Sequence, residues 1–135
     1  MTARTRFIHR AAALVVAGSA GLAFAAPSAL LKALDPDNDG TVSLAEARTA
    51  AEARFAALDP DQDGTLDAKE LEAVKITRAE LGTVDPDRDG KLDKAEYLAL
   101  VELRFKAADP DNDGTVSDAE FGTKAGKALA SLLVK

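Results

Sequence analysis

Apolar residues recur along the chain at helical spacing, in short segments separated by acidic stretches that contain glycine. The two longest segments are residues 44–58 and 97–108. Their apolar side chains recur at steps of three or four residues, which places them on one face of a helix. The two faces consist of Ala47, Ala51, Phe55 and Leu58 in the first segment and Leu98, Val101 and Phe105 in the second. The pattern therefore predicts an all-α fold in which two helices each bury one face.

Shorter helices are expected at both ends of this core. Ser28 is a suitable N-cap for a short entering helix, because its hydroxyl can accept a hydrogen bond from a free backbone N–H. At the carboxyl end, residues 125–134 predict a closing helix that covers the bundle. The apolar residues on the faces of these two helices are Leu30, Leu31, Leu34, Leu129, Leu132 and Leu133.

The connection from residue 71 to residue 84 leaves two interpretations open. Thr77 followed by Glu80 has the spacing of a capping box, in which each side chain bonds the backbone of the other residue. This spacing predicts a short helix from about Arg78, after a helix that ends near Lys75. The alternative is one continuous helix in which Thr77 is a surface residue.

The acidic stretches share one pattern of twelve residues. The first, DPDNDGTVSLAE, spans residues 35–46, and the pattern returns at residues 59–70, 85–96 and 109–120. Each stretch has Asp at positions 1, 3 and 5, Gly at position 6 and Glu at position 12. The stretches resemble the calcium-binding loop of an EF-hand, and we number them loops 1 to 4.

Such a loop surrounds one cation with oxygen. Side chains bind at positions 1, 3 and 5, a backbone carbonyl at position 7, a side chain or a water at position 9, and both oxygens of Glu at position 12. The predicted ligands are Asp35, Asp37, Asp39, Thr41, Ser43 and Glu46; Asp59, Asp61, Asp63, Thr65, Asp67 and Glu70; Asp85, Asp87, Asp89, Lys91, Asp93 and Glu96; and Asp109, Asp111, Asp113, Thr115, Ser117 and Glu120. Because the donors are oxygens without His or Cys, they exclude zinc and copper and favour Ca²⁺ or a trivalent lanthanide over Mg²⁺.

The spacing of the loops predicts how they pair. Only residues 47–58 separate loop 1 from loop 2, and only residues 97–108 separate loop 3 from loop 4. Twelve residues of helix span about 18 Å and leave no room for a reversal, so one helix must serve both loops of each pair. We therefore expect four EF-hands with short shared helices in a small bundle, with loop 2 beside loop 3 through Leu66 and Leu92. Loop 1 should lie beside loop 4 through Val42 and Val116.

Most of the acidic residues of the chain lie in these loops. The net charge is −6, and 18 of the 23 acidic residues occupy predicted ligand positions. Loops 2 and 3 have five acidic side chains each, whereas loops 1 and 4 have Ser at position 9 and only four. Loops 2 and 3 should bind most tightly, although Arg88 and Lys91 offset some of the charge of loop 3. Nothing basic is arranged to contact nucleic acid, and the sign of the charge is wrong for anionic lipid.

Position 2 is proline in every loop: Pro36, Pro60, Pro86 and Pro110. Proline fixes its own φ and disfavours helix at the preceding residue, which here is the first ligand. Proline would therefore end the incoming helix, and it would also hold the first ligand near its bound geometry. We favour the second role because preorganisation lowers the cost of binding.

The first 25 residues have the composition of an export signal. Three arginines precede the apolar run of residues 11–25, which ends in Ala23, Phe24 and Ala25, a small-x-small cleavage pattern. The run is shorter than the roughly 20 residues that cross a bilayer. We expect residues 1–25 to be a cleaved signal peptide, and residues 26–135 to be a periplasmic four-EF-hand domain, free of the membrane, with a net charge of −9. The chain has no cysteine, so bound metal would replace disulfides as the staple of this small domain.

The four DPDxDG loops, the spacers of twelve to fourteen residues and the leader together resemble the lanmodulin family of periplasmic lanthanide-binding proteins. The resemblance covers essentially the whole of residues 26–135. It implies selective binding of lanthanide(III) ions such as La, Ce and Nd, with Ca²⁺ as a weaker ligand. It also implies compaction on binding and a part in lanthanide uptake or trafficking, with a metal-receiving partner that the sequence does not identify. Ser43 and Ser117 depart from the Asp that the family favours at position 9.

Other functions remain alternatives at this point. The chain could be a periplasmic calcium buffer, or a calcium-dependent adaptor that opens a groove for partner helices. Such grooves use methionine, and the only methionine here is Met1 in the leader. Enzyme activity is not expected, because the only histidine, His9, is also in the leader and the clustered carboxylates are already predicted ligands.

Overall fold

The computed structural model describes residues 27–135. The expected signal peptide and cleavage site lie outside these residues. The described chain forms seven α-helices, four short strands and one 3₁₀ helix. In chain order they are α1 (Ala29–Leu34), β1 (Thr41–Ser43), α2 (Leu44–Leu58), β2 (Thr65–Leu66), α3 (Ala68–Leu71), the 3₁₀ helix (Glu72–Val74), α4 (Arg78–Val84), β3 (Leu92–Asp93), α5 (Lys94–Ala108), β4 (Thr115–Ser117), α6 (Asp118–Phe121) and α7 (Lys124–Leu133). Within residues 27–135, none of the helices combines the length and the apolar character that crossing a bilayer requires.

The strands confirm the predicted pairing of the loops. β1 runs antiparallel to β4 with Val42 opposite Val116. β2 runs antiparallel to β3 with Leu66 opposite Leu92. Because α2 leads from loop 1 to loop 2 and α5 leads from loop 3 to loop 4, this pairing makes the two helices antiparallel. The fold is the predicted all-α bundle of four EF-hands, with one pair of loops at each end.

The core lies between α2, α5 and α7. The predicted face of α2 is buried along its whole length. The buried face of α5 is wider than the sequence indicated: Leu98 is only partly buried, whereas Tyr97 and Leu100 are fully buried. The ring of Tyr97 meets that of Phe55 edge to face at 5.5 Å, and its hydroxyl donates a 2.7 Å hydrogen bond to the Leu132 carbonyl in α7. The closing helix therefore covers the bundle as predicted.

The connector between loops 2 and 3 breaks where the capping box predicted. Lys75 ends the 3₁₀ helix in a left-handed conformation with φ 48°, and α4 begins at Arg78. The Thr77 hydroxyl accepts a hydrogen bond from the Glu80 N–H, and the Glu80 carboxylate accepts one from the Thr77 N–H at 2.8 Å. The interpretation as one continuous helix is therefore wrong.

A buried arginine joins this connector to the core. Arg104 in α5 is only 4% exposed, and its guanidinium forms an ion pair with Glu80 at 2.8 Å. The same guanidinium donates to the carbonyls of Val74 and Ala128 at 3.1 and 2.8 Å. It thereby ties the connector, α4 and α7 to α5.

Candidate metal centres in the four loops

Each loop begins where a proline ends the incoming helix. The Asp at position 1 closes the last turn of that helix, because its N–H bonds the carbonyl four residues earlier. These four residues share one non-helical backbone conformation, with φ between −106° and −112° and ψ between 75° and 83°. A following proline disfavours the helical region, and these residues lie outside it. The prolines therefore end the helices and give the four first ligands the same backbone geometry.

The loops turn through residues with positive φ. The glycines at position 6 have φ between 77° and 90°, which strains any residue that has a Cβ. Position 4 also has a left-handed conformation in every loop, with φ between 57° and 60°. These turns bring the N–H at position 6 back to the first carboxylate. In loop 1, Gly40 donates to Oδ2 of Asp35 at 2.9 Å, and Gly64, Gly90 and Gly114 make the equivalent bond in their loops.

Acidic oxygens converge inside each loop. Three carboxylates per loop place one oxygen each within 4.8 Å of the others. The three groups in loops 2, 3 and 4 come from positions 1, 3 and 12, and in loop 1 from positions 1, 3 and 5. They are Asp59, Asp61 and Glu70; Asp85, Asp87 and Glu96; Asp109, Asp111 and Glu120; and Asp35, Asp37 and Asp39. Each group fits a hard cation, because it offers several oxygens that could contact one ion.

Other predicted ligands lie outside these tight groups. Glu46 does so in loop 1, and the position-5 residues Asp63, Asp89 and Asp113 do so in the other loops. The side chains at position 9 cap the exit helices: Ser43, Asp67, Asp93 and Ser117 each accept a hydrogen bond from the N–H of the position-12 glutamate. Position 9 therefore holds the glutamate of its loop in place, and it could reach an ion through a water.

Serine and aspartate at position 9 act differently on that glutamate. In loops 1 and 4 the serine hydroxyl donates to the carboxylate, as Ser43 does to Oε2 of Glu46 at 2.9 Å. An ionised aspartate has no hydrogen to donate. The Glu96 carboxylate therefore accepts a hydrogen bond from the backbone N–H of Asp93 but none from the Asp93 side chain. Burial raises the pKa of Glu96, and the negative charges of Asp93, Asp87 and Asp85 raise it further. In loop 3 a bound cation would relieve this repulsion.

In loops 1, 3 and 4 the first two carboxylates shift each other's pKa in opposite directions. In loop 1, the hydrogen bond between Asp37 and Asp35 raises the pKa of Asp37 above its ordinary value. Burial raises the pKa of Asp35, but hydrogen bonds from Gly40, Asp37 and Asp39 outweigh it and the net pKa is lowered. Loops 3 and 4 show the same opposed pKa shifts at positions 1 and 3. Oxygens this close are unfavourable together when both are ionised, and a cation relieves that repulsion.

Three features of the site were missed in the sequence. The threonines at position 7 donate their hydroxyls to the carboxylate at position 5, at 2.8 or 2.9 Å, in loops 1, 2 and 4. Asp118 in loop 4 accepts hydrogen bonds from the Ser28 hydroxyl and, at 3.1 Å, from its N–H, which links the helix entering loop 1 to loop 4. Lys91 in loop 3 lies 3.7 Å from Asp63 in loop 2. The recurrence of Thr at position 7 was visible in the sequence, whereas the other two contacts depend on how the loops pair.

Comparison with known protein families agrees with this geometry. A family model described as an EF-hand domain pair matches residues 48–121, more than half of the chain. The chain belongs to the EF-hand family. The match includes loops 2, 3 and 4 of this EF-hand protein, and loop 1 has the same backbone turn and the same bond from Gly40 to Asp35. A search of curated proteins finds no significant match. The EF-hand loops bind metal ions, and their donor set suits Ca²⁺.

Proposed function

We propose that this EF-hand protein is exported to the periplasm and binds lanthanide(III) ions in preference to Ca²⁺, as in the lanmodulin family that its sequence resembles. It would take part in lanthanide uptake or trafficking and perform no catalysis. The observation that carries the proposal is the density of acidic oxygens at each loop, where three carboxylates place one oxygen each within 4.8 Å of the others. Export rests on the sequence of residues 1–25 alone.

Charge favours a trivalent ion. The ligand side chains of loops 2 and 3 carry five negative charges in each loop, of which a divalent ion compensates two and a trivalent ion three. At equal size, the attraction of an ion to fixed charges grows in proportion to its own charge. Since lanthanides and Ca²⁺ both accept many oxygen ligands, charge is the difference that the loops can use.

The prolines support tight binding in the same way. Each one follows a first ligand whose backbone has the same non-helical conformation in all four loops, and a proline restricts that backbone, so less order has to be created when the ion binds. The loops also begin and end short helices of four to seven residues, α1, α3, α4 and α6. Helices of this length are unstable alone, so we expect the bundle to form when metal removes the repulsion within the loops.

The test is a titration of residues 26–135 with La³⁺ in millimolar Ca²⁺ and a competing chelator, followed by circular dichroism. The proposal expects helix to form at a La³⁺ concentration far below the Ca²⁺ concentration that has the same effect. Compaction by Ca²⁺ with no further gain from La³⁺ would support the calcium buffer instead. A protein that is equally helical without any metal would refute metal-coupled folding.

Two variants test whether the loops are responsible. Asp59→Asn removes the first carboxylate of loop 2 and should weaken one site at least tenfold, because that residue also holds the loop turn through Gly64 at 3.1 Å. Glu72→Gln removes the same charge from an exposed residue in the 3₁₀ helix, outside the loops, and should leave all sites unchanged. If the two variants behave alike, the binding does not depend on the loop geometry.

Export is tested separately, by expressing the full chain and analysing the periplasmic fraction by mass spectrometry. The proposal expects a mature protein that begins at Ala26. A chain that keeps Met1 and stays in the cytoplasm would contradict it.

A further inference from the structure

Loop 3 differs from the other loops at position 7, where Lys91 replaces the threonine found at residues 41, 65 and 115. In the threonine loops, the position-5 carboxylate accepts bonds from both the hydroxyl and the N–H of position 7. In loop 3, position 7 donates to Asp89 only through the Lys91 N–H, at 2.8 Å. Loop 3 therefore has one hydrogen bond fewer to its predicted ligand Asp89 than the threonine loops have to theirs. The Lys91 ammonium does not bond Asp89.

The Lys91 side chain crosses to the neighbouring loop. Its Nζ lies 3.7 Å from Oδ2 of Asp63, the position-5 residue of loop 2. The crossing follows from the strand register, because Leu66 opposite Leu92 places the two loops side by side. The other oxygen of Asp63 accepts from the Thr65 N–H and hydroxyl at 2.8 and 2.9 Å. Both oxygens of this carboxylate are therefore engaged.

We propose that Lys91 sets the affinity and the ion preference of loop 2 from its position in loop 3. A cation bound in loop 2 has to share the charge of Asp63 with the lysine ammonium and is also repelled by it. The repulsion is greater for a trivalent ion than for a divalent one. Lys91 thus lowers the affinity of loop 2 for lanthanides more than its affinity for Ca²⁺, an effect on selectivity that rests on the proposed function.

The consequence is an unequal pair of sites. Loop 2 has five acidic side chains and no cationic residue before Lys69 at its eleventh position, so by its own sequence it should be the strongest site. With Lys91 against Asp63, that advantage is reduced. The Lys91 and Asp63 side chains are each 45% exposed, so water and salt screen the effect to a few-fold rather than removing the site.

Lys91→Met removes the ammonium and keeps an unbranched side chain. The backbone carbonyl of residue 91, which is the predicted ligand of loop 3, is unchanged. Lys94→Met is the matched control. It removes the same charge from the same loop, but Lys94 pairs at 3.4 Å with Glu52 in α2, which is not a predicted ligand. A third variant, Lys91→Arg, keeps the charge and should behave like the unchanged protein.

Site-resolved binding is measured on residues 26–135 by the backbone amide resonances of the position-6 glycines, with La³⁺ or Ca²⁺ buffered by a chelator. Gly64 reports loop 2, while Gly40 and Gly114 report loops 1 and 4 through their bonds to the first carboxylates. In Lys91→Met we expect the affinity reported by Gly64 to rise about fivefold for La³⁺ and about threefold for Ca²⁺ at 0.1 M salt. Both gains should shrink at 0.5 M salt, and Gly40 and Gly114 should not respond.

The inference is overturned if Gly64 reports no change in Lys91→Met, or if Lys94→Met produces the same gain. Its failure is distinct from that of the proposed function. A protein that binds Ca²⁺ as tightly as La³⁺ would refute lanthanide selectivity, yet the Ca²⁺ titration would still test the effect of Lys91 on loop 2.

Discussion

Replacing Arg104 by methionine should destabilise the metal-loaded protein more than any other single change in a charged residue that we consider. Arg104 is buried in the middle of the bundle, and its guanidinium bonds Glu80, three carbonyls and the Ser131 hydroxyl. Methionine keeps most of the apolar stem, so the change removes the charged end while leaving much of the packing. The change removes the hydrogen bonds that join the connector and α7 to α5.

The magnitude follows from what each partner can do afterwards. Removing one member of a buried ion pair costs about 3–5 kcal/mol. The low end applies here, because the Glu80 side chain is 22% exposed and can regain water. The Ser131 hydroxyl also remains as a donor to one of the two carbonyls, that of Ala128 at 2.7 Å or that of Val74 at 3.4 Å. We therefore expect a loss of about 3 kcal/mol in the free energy of unfolding.

The pH of the measurement matters. The hydrogen bond from Arg104, together with weaker contributions from the Thr77 N–H and hydroxyl, lowers the pKa of Glu80 from 4.5 to about 2. A group whose pKa is lowered by folding stabilises the protein above its unfolded value, and this contribution is lost as the pH falls from about 4.5 towards 2. After allowance for solvent screening of Glu80, the pH-dependent part is about 1–2 kcal/mol. Urea unfolding at pH 7 with a fixed excess of metal captures the full effect.

A double-mutant cycle with Glu80→Gln separates the ion pair from the other bonds. We expect a coupling of about 1–2 kcal/mol between the two residues, since they are in direct contact. A loss below 1 kcal/mol in Arg104→Met, with an unchanged dependence on urea concentration, would refute the role of this arginine. Additive effects in the cycle would show that Glu80 acts only as a helix cap.

Three further predictions concern other parts of the molecule. Gly126→Ala should cost about 2–3 kcal/mol of unfolding free energy, because the alanine Cβ would lie 2.0 Å from the Glu120 carbonyl oxygen. Gly82 lies in α4 with open space around it, so Gly82→Ala should instead stabilise the protein by about 0.5–1 kcal/mol in the same urea assay. Tyr97→Phe should cost about 1 kcal/mol, because the Leu132 carbonyl loses its buried donor, and a change in melting temperature under one degree would contradict this. The pKa of Asp37 is raised, so protons should compete with metal for this carboxylate at a higher pH than they would for an isolated aspartate. Loss of metal on acidification should therefore begin at that higher pH, which a chelator competition repeated at a series of pH values would measure.

The loops and their pairing could be predicted because both follow from local rules. The ligand positions repeat in the sequence, and a helix of twelve residues cannot reverse, so the ends that meet are determined by length alone. The capping box at Thr77 predicted the break in the connector in the same way, since this motif involves only four consecutive residues. α1, α2, α4 and α7 therefore lie within a residue or two of where the pattern placed them.

The contacts of long charged side chains could not be predicted. Arg104 has the spacing of the buried face of α5, but its burial depends on acceptors from three separate segments that meet only in the folded bundle. Glu80 was assigned as a capping residue, and its second role as the partner of Arg104 has no local signal. Lys91 appeared in the sequence as a charge that weakens its own loop, whereas in the structure it contacts the neighbouring one.

The sharing of α2 and α5 between loops restricts which insertions the protein could tolerate. One extra residue in α2 would rotate loop 2 by about 100° about the helix axis and move it by about 1.5 Å, so the strand contacts at both ends could not form together. Both strand pairs could form again only if α5 were lengthened by the same amount. The segments 47–58 and 97–108 therefore need to have equal lengths, and a change in the length of one would have to be accompanied by the same change in the other.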